Sequence, residues 1–392
     1  MIMKTSITRL LLILLACTAL AGCREDEVVM PAENETVPDI ADPDTQIQGM
    51  YVLNEGNMGS NKCTIDYYDF PTGIYTRNFY GERNPDVIKE LGDVGNDIAI
   101  YGSRLYAVIN CSHKVEVMDA RSGRRIGQVD IPNCRYISFH KGNAYVSSYV
   151  GPVLVDPDSP KGAVYRVDTL SLVVTGRVSV GYQPEEMAVS GNKMYVANSG
   201  GYRAPLYDNT ISVINLEEFK QVRQISAAIN MHRMRRDEQG KLWVTSRGNR
   251  QTQPSQLLVL SSEHENGEME LTDMLQVPCS NIAIHGDRLY YISSELNDYT
   301  GTNSISYGII DTRTKKVIAT NFITDGTEHE IKMPYGLAVH PETGDIYLTD
   351  AKNYVSSGTL YCFSPEGKKK WSIRTGDIPA SICFLPKSTS GN

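Results

Sequence analysis

From residue 49 onward, apolar and polar positions follow a repeating order of four short phrases. The most regular is an aromatic ringed by apolar residues and closed by a small polar one. It reads Met50-Tyr51-Val52-Leu53-Asn54, Leu105-Tyr106-Ala107-Val108, Ala144-Tyr145-Val146-Ser147 and Met194-Tyr195-Val196-Ala197-Asn198, then Leu242-Trp243-Val244-Thr245-Ser246, Leu289-Tyr290-Tyr291-Ile292-Ser293 and Ile346-Tyr347-Leu348-Thr349-Asp350. The seven anchors stand 55, 39, 50, 48, 47 and 57 residues apart. A second phrase runs just upstream of each anchor but the first: Asp97 to Ile100, Tyr136 to Phe139, Glu186 to Val189, Arg233 to Arg236, Asn281 to Ile284 and Gly336 to Val339. Most of these alternate apolar with small or polar residues, the period of a strand. Turns such as Gly191-Asn192 and Gly286-Asp287 separate the two phrases, so each pair reads as a hairpin. A third phrase ends in Asp, Asn or Ser, as in Val115 to Asp119 and Ile211 to Asn215, and a more polar fourth follows, as in Arg125 to Ile131.

Four strands recurring seven times predict an all-β, seven-bladed β-propeller over residues 49–386. The first repeat lacks its first strand, and an orphan phrase, Ser381 to Phe384, waits at the far end. The C-terminal strand is therefore expected to complete the first blade and tie the ring shut. Closure protects strand edges that would otherwise template aggregation.

The N-terminus has a different character. Lys4 and Arg9 precede an apolar run from Leu10 to Leu20, followed by Leu20-Ala21-Gly22-Cys23. Residues 1–22 read as a signal peptide, too short in its apolar part to span a bilayer. The tetrapeptide resembles a bacterial lipobox, which implies lipidation of Cys23. Residues 24–48 carry eight acidic side chains against Arg24 alone, with Pro31, Pro38 and Pro43, and read with Cys23 as an extended tether. An acidic cluster just after a lipidated Cys resembles the surface-export signal of Bacteroidetes lipoproteins, and implies an outer-membrane protein facing outward. Residues 387–392 read as a tail.

Charge and composition narrow the function. The formal net charge is −8, most of the acidity lies in the tether, and the longest basic run is Lys368-Lys369-Lys370. A nucleic-acid-binding surface is excluded on that basis. Tyr outnumbers Phe 23 to 7, which suits aromatic faces with one wet edge. Of eight Cys, Cys17 lies in the signal and Cys23 at the lipid site; the other six form no CxxC pair. Cys111 and Cys134 fall in loops of adjacent blades on one face, where an exported protein could join them. There is no GxSxG elbow, Walker loop, GxGxxG fingerprint or HExxH helix, so the expectation is a binding protein, with no catalytic residue, metal or cofactor assigned.

In a propeller the blade-to-blade loops share a face with the loops between second and third strands. The first set holds Asn96, Asp97, Asn133, Arg135, Gln183, Glu185, His232 and Tyr335. The second holds Asn54, Glu55, Asn110, His113, Tyr149, Asn198, Tyr202, Arg203, Arg247 and Asp350. These eighteen are the candidate ligand-binding residues. Amides donate and accept, Arg offers a rigid fork of donors, and Tyr gives flat apolar area with a hydroxyl. Asn, Asp and Gly also fill such loops for turn geometry alone.

Tyr51-Val52-Leu53-Asn54 and Tyr195-Val196-Ala197-Asn198 resemble the YVTN repeat of YncE-type propellers. A closer resemblance is to the BtuG-type surface lipoproteins of gut Bacteroidetes. It rests on Tyr51 to Asn61, Leu91 to Ile98, Val108 to His113, Ile131 to Tyr136, Val180 to Met187 and Ala197 to Arg203. That resemblance implies capture of cobalamin or a related corrinoid and its delivery to a TonB-dependent outer-membrane transporter. A corrin ring fringed by amides suits the predicted rim. A glycan suits it too, so a glycan-binding or adhesion propeller is the second reading, and a propeller hydrolase or lyase the third.

Overall fold

The computed structural model describes residues 32–38, 45–87, 91–152, 154–249, 251–262, 268–297 and 302–388. The predicted signal peptide, Cys23, tether residues 24–31 and 39–44, and tail residues 389–392 lie outside them. The described residues build the seven predicted antiparallel sheets. Blade 2 runs Gly95–Tyr101, Arg104–Ile109, Lys114–Asp119 and Arg125–Asp130 from the axis outward, and blades 3 to 7 repeat that order. In blade 1 the innermost strand is Pro379–Pro386, paired antiparallel with Ile47–Asn54, so the C-terminal strand closes the ring as the repeat order requires.

Burial explains the phrases. Second strands are packed on both faces by neighbouring blades, so they read as continuous apolar runs rather than alternating ones. Met50, Tyr51, Val52 and Leu53 are fully buried. Outer strands such as Arg125–Asp130 and Val174–Ser179 bury little and are mostly polar. The core is divided accordingly. Seven apolar clusters fill the seven gaps between adjacent blades, from Tyr51, Ile65 and Leu105 between blades 1 and 2 to Val52, Tyr68 and Trp371 between blades 7 and 1.

Part of the Tyr excess has a use that composition does not show. All six Tyr anchors, with Trp243, are buried. Tyr51 donates its hydroxyl to Ala120 O of the next blade at 2.8 Å. Tyr195 accepts from Met269 N of the next blade at 3.3 Å. A Phe would fill the same gap and leave that backbone group unpaired.

Part of the segment read as tether joins the fold. Glu33–Thr36 pairs antiparallel with the short outer strand Ile74–Arg77 and makes a fifth strand on blade 1. Arg77 forms ion pairs with Glu33 and Glu35, so two of the acidic residues counted as solvated spacer have a partner. No described helix is long and apolar enough to cross a membrane.

Candidate functional site

Two positions recur at the start of each inner strand. The first residue of the second phrase is Asp97, Tyr136, Glu186, Arg233, Asn281, Gly336 and Ser381 in successive blades, and the residue before it is Asn96, Arg135, Glu185, His232, Ser280, Tyr335 and Ala380. Inner strands of neighbouring blades pair within their own blades, not with each other, so polar side chains at these positions bridge the gaps. Asp97 accepts from Ile137 N of blade 3 at 3.1 Å and from the Ser381 hydroxyl of blade 1 at 3.3 Å. Glu186 accepts from Met234 N of blade 5 at 2.8 Å. Asn96 donates to Arg135 O at 2.6 Å, and Asn281 to Tyr335 O at 2.9 Å.

These positions and the second-to-third-strand loops enclose an open cavity of about 410 Å³ at the ring axis, lined from all seven blades. Of the eighteen candidates, Glu55, Asn96, Asn110, Arg135, Tyr202, His232, Arg247 and Tyr335 line it. The other wall residues were not among the candidates, and four of them, Tyr136, Arg233, Ser280 and Asn281, stand at the two recurring inner-strand positions. Gly56, Asn57, Met58, Ser294 and Tyr354 also contribute.

The other ten candidates hold the loops in place. Asn54 donates to Thr64 Oγ1 at 3.0 Å, and Asn198 to Thr210 O at 2.9 Å. Asp350 accepts from Met333 N and Lys352 N, each at 2.8 Å. Asn133 and Gln183 have φ of 42° and 49°, a left-handed backbone that suits an amide side chain at a turn. Asn133 donates to Gly151 O at 2.8 Å, and Gln183 accepts from Tyr202 N at 2.6 Å. His113 accepts from Asn133 N at 2.9 Å through Nδ1. Arg203 stacks 3.6 Å over Tyr182 and donates to Pro157 O. Asp97, Tyr149 and Glu185 brace the wall from behind. Cys111 and Cys134 are free thiols, which corrects the predicted disulfide. The Cys134 thiol is buried against Lys114 O at 3.3 Å and Ile109 O at 3.5 Å, within its own blade interface.

Electrostatics shape the wall. A bulge between Pro184 and Met187 lets consecutive glutamates serve different neighbours. Glu185, nearly fully buried, receives Arg135 through Nε and Nη2 at 3.2 Å, Tyr149 OH at 2.5 Å and Arg247 at 3.4 Å. Glu186 receives Arg233 at 2.8 Å and also Arg235. Burial pushes Glu186 up, but Arg235, Arg233 and the Met234 amide outweigh it and set it below the usual glutamate value. Burial first, then Arg247, Arg233, Arg135 and Arg235, hold His232 well below the ordinary imidazole value. It is therefore neutral, with Nε2 2.6 Å from the Tyr136 hydroxyl.

Across the cavity, burial raises Glu55 to about 7, while the Tyr335 hydroxyl, donating at 2.9 Å, opposes the rise. Burial, then repulsion from Glu186, raises Asp97 to about 6. Both folded values exceed the unfolded ones, so the native state keeps protons that the unfolded chain has lost. Their contribution to stability is intact below about pH 4 and declines as pH rises through 6 to 7. Tyr335→Phe is expected to raise Glu55 above 7, measured by carbon-13 NMR titration of the carboxyl. An unchanged Glu55 titration would contradict the assigned hydrogen bond.

A seven-bladed propeller with a polar, arginine-rich mouth defines the structural class. The chain belongs to the family described as "Domain of unknown function (DUF5074)", whose model matches residues 48–384. No curated protein matches it. Among solved structures it is similar to a putative 6-phosphogluconolactonase of Bacteroides fragilis, with 10% identity and TM-score 0.60 over 88% of this chain and 100% of that one. The periplasmic gluconolactonase PpgL of Pseudomonas aeruginosa gives 12% and 0.58, over 87% and 99%. Apo AztD of Citrobacter koseri gives 11% and 0.51, over 88% and 99%. At such identities the likeness is one of fold, and function is argued from the site. Among the described residues no group of three or more His, Cys, Asp or Glu is placed to hold a metal ion.

Proposed function

We propose that this protein captures a corrinoid, cobalamin or a close relative, in the axial cavity. It then passes the corrinoid to a TonB-dependent outer-membrane transporter while tethered outward by lipid on Cys23. The observation that carries the reading is the make-up of the wall. Tyr136, Tyr202, Tyr335 and Tyr354 provide aromatic contact, Asn57, Asn96 and Asn281 amides, and Met58 a thioether that is 63% exposed. A flat ring edged with amides needs this combination of apolar area and donor–acceptor groups. The wall is cross-braced by hydrogen bonds, so little ordering would accompany binding. The sequence resemblance to BtuG-type lipoproteins points the same way.

A glycan is the second reading. One observation favours it: a chamber of about 270 Å³ sharing Arg247, Ser280 and Ser294 with the main cavity, also lined by Ser255, Ser293 and Thr252. Hydroxyls at that density suit a sugar.

The corrinoid reading makes two neighbouring residues behave differently. Tyr202→Ala removes a ring from the wall and is expected to weaken cyanocobalamin binding about tenfold in equilibrium dialysis. Arg203→Ala is expected to leave it within about twofold, because that side chain is engaged with Tyr182 and Pro157 outside the wall. Equal losses in both variants, or none in either, would count against this cavity as the corrinoid site.

A further inference from the structure

The charged groups on the cavity wall are unbalanced. Three guanidiniums, Arg135, Arg233 and Arg247, line it, against one carboxyl, Glu55. Glu185 and Glu186, which neutralise part of this charge, stand behind the wall. Glu186 is shared between Arg233 and Arg235, and Glu185 between Arg135 and Arg247. Each carboxylate therefore serves two guanidiniums and leaves donors over.

One of those donors is identifiable. Arg233 is 7% exposed, and its Nε, buried in the wall, has no hydrogen-bond partner. A buried, unpaired guanidinium N–H costs free energy unless something supplies an acceptor. Around it, Arg135 and Arg233 flank the Tyr136 ring at 5.8 and 5.3 Å, while Arg247 holds the opposite oxygen of Glu185 from Arg135. The three forks thus converge from blades 3 and 5 on one side of the cavity. His232, set between them and neutral, adds no repulsion to an anion.

We propose that this arc is an oxyanion site for a phosphate-class group. Three guanidiniums approaching from different directions match a tetrahedral anion with several acceptor oxygens better than a planar carboxylate, which two forks saturate. The site goes beyond the corrinoid reading, since any ligand bearing a phosphate or phosphodiester would use it, and so would free phosphate.

The test titrates the full-length protein in detergent with inorganic phosphate and, separately, with dimethyl phosphate, at constant ionic strength, followed by phosphorus-31 NMR. Saturable binding by either probe, weakened about tenfold or more in Arg247→Gln, is expected. Preference for dimethyl phosphate would assign the site to a phosphodiester carried by a larger ligand. Preference for inorganic phosphate would assign it to the free ion. Arg247 is partly exposed on a loop, so its variant should fold, checked by melting temperature; Arg233→Lys, which keeps the charge and loses Nε, is expected to show an intermediate affinity. Absence of saturable binding by both probes, or equal affinity in wild type and Arg247→Gln, would overturn the proposal. Neither probe contains a corrin ring, so these outcomes are independent of whether cyanocobalamin binds.

Discussion

Truncation after Asp377 is expected to abolish the folded monomer. The lost strand, Pro379–Pro386, is the inner strand of blade 1 and contacts the inner strands of blades 7 and 2. It buries Ala380 and Leu385 and packs its Ile382 and Phe384 against the cluster between blades 7 and 1. Ser381 also supplies one of the bonds to Asp97. Without it the second strand of blade 1, Ile47–Asn54, becomes an exposed edge with a continuous apolar run from Met50 to Leu53, the arrangement most prone to pair with another chain. Blades 7 and 1 would also lose the cover over their shared cluster. Analytical ultracentrifugation should find aggregate, and circular dichroism no cooperative melt. A soluble monomer melting near the wild-type temperature would show that blades, not closure, carry stability.

The second large effect is at Glu185. Glu185→Ala removes the shared anion of Arg135 and Arg247 and the acceptor of Tyr149, all beside the cavity. Arg135 is left largely buried without its carboxylate, and breaking a buried pair in this way costs about 3–5 kcal/mol. For a domain of this size that corresponds to a fall in Tm on the order of 5 °C. Replacing both buried partners, as in Glu185→Gln with Arg135→Met, leaves only the partly exposed Arg247 without its carboxylate and should recover much of the loss. A thermal melt of the single and double variants separates the two cases. A single variant as stable as wild type would mean the pair is solvated and contributes little.

The blades were legible because burial is periodic. Tyr51, Tyr106, Tyr145, Tyr195, Trp243, Tyr290 and Tyr347 recur because each fills the same gap between blades, and the orphan phrase at Ser381 told where the ring closes. The face that carries the cavity followed from loop order alone. Individual wall residues were less legible, because Asn and Gln serve turns and ligands with the same side chain. Asn133 and Gln183 stand where the backbone is left-handed, and Asn54 and Asn198 where a loop needs a donor, so local conformation accounts for all four. Tyr136, Arg233 and Asn281 carried a usable signal, the first position of each second phrase, which aligns them with Asp97 and Glu186. That column is polar in most blades although it opens a core strand. The pairing of Glu33–Thr36 with blade 1 was hidden because a short, charged, proline-flanked strand on a sheet edge has the composition of a linker.

The most direct test of the central claim is calorimetric titration of the full-length protein with cyanocobalamin. One corrinoid per chain, bound saturably and lost together with the Tyr202 ring, is the predicted result. No heat of binding and no shift in melting temperature at saturating cyanocobalamin would contradict corrinoid capture, and would turn the search to glycans held by the same cavity.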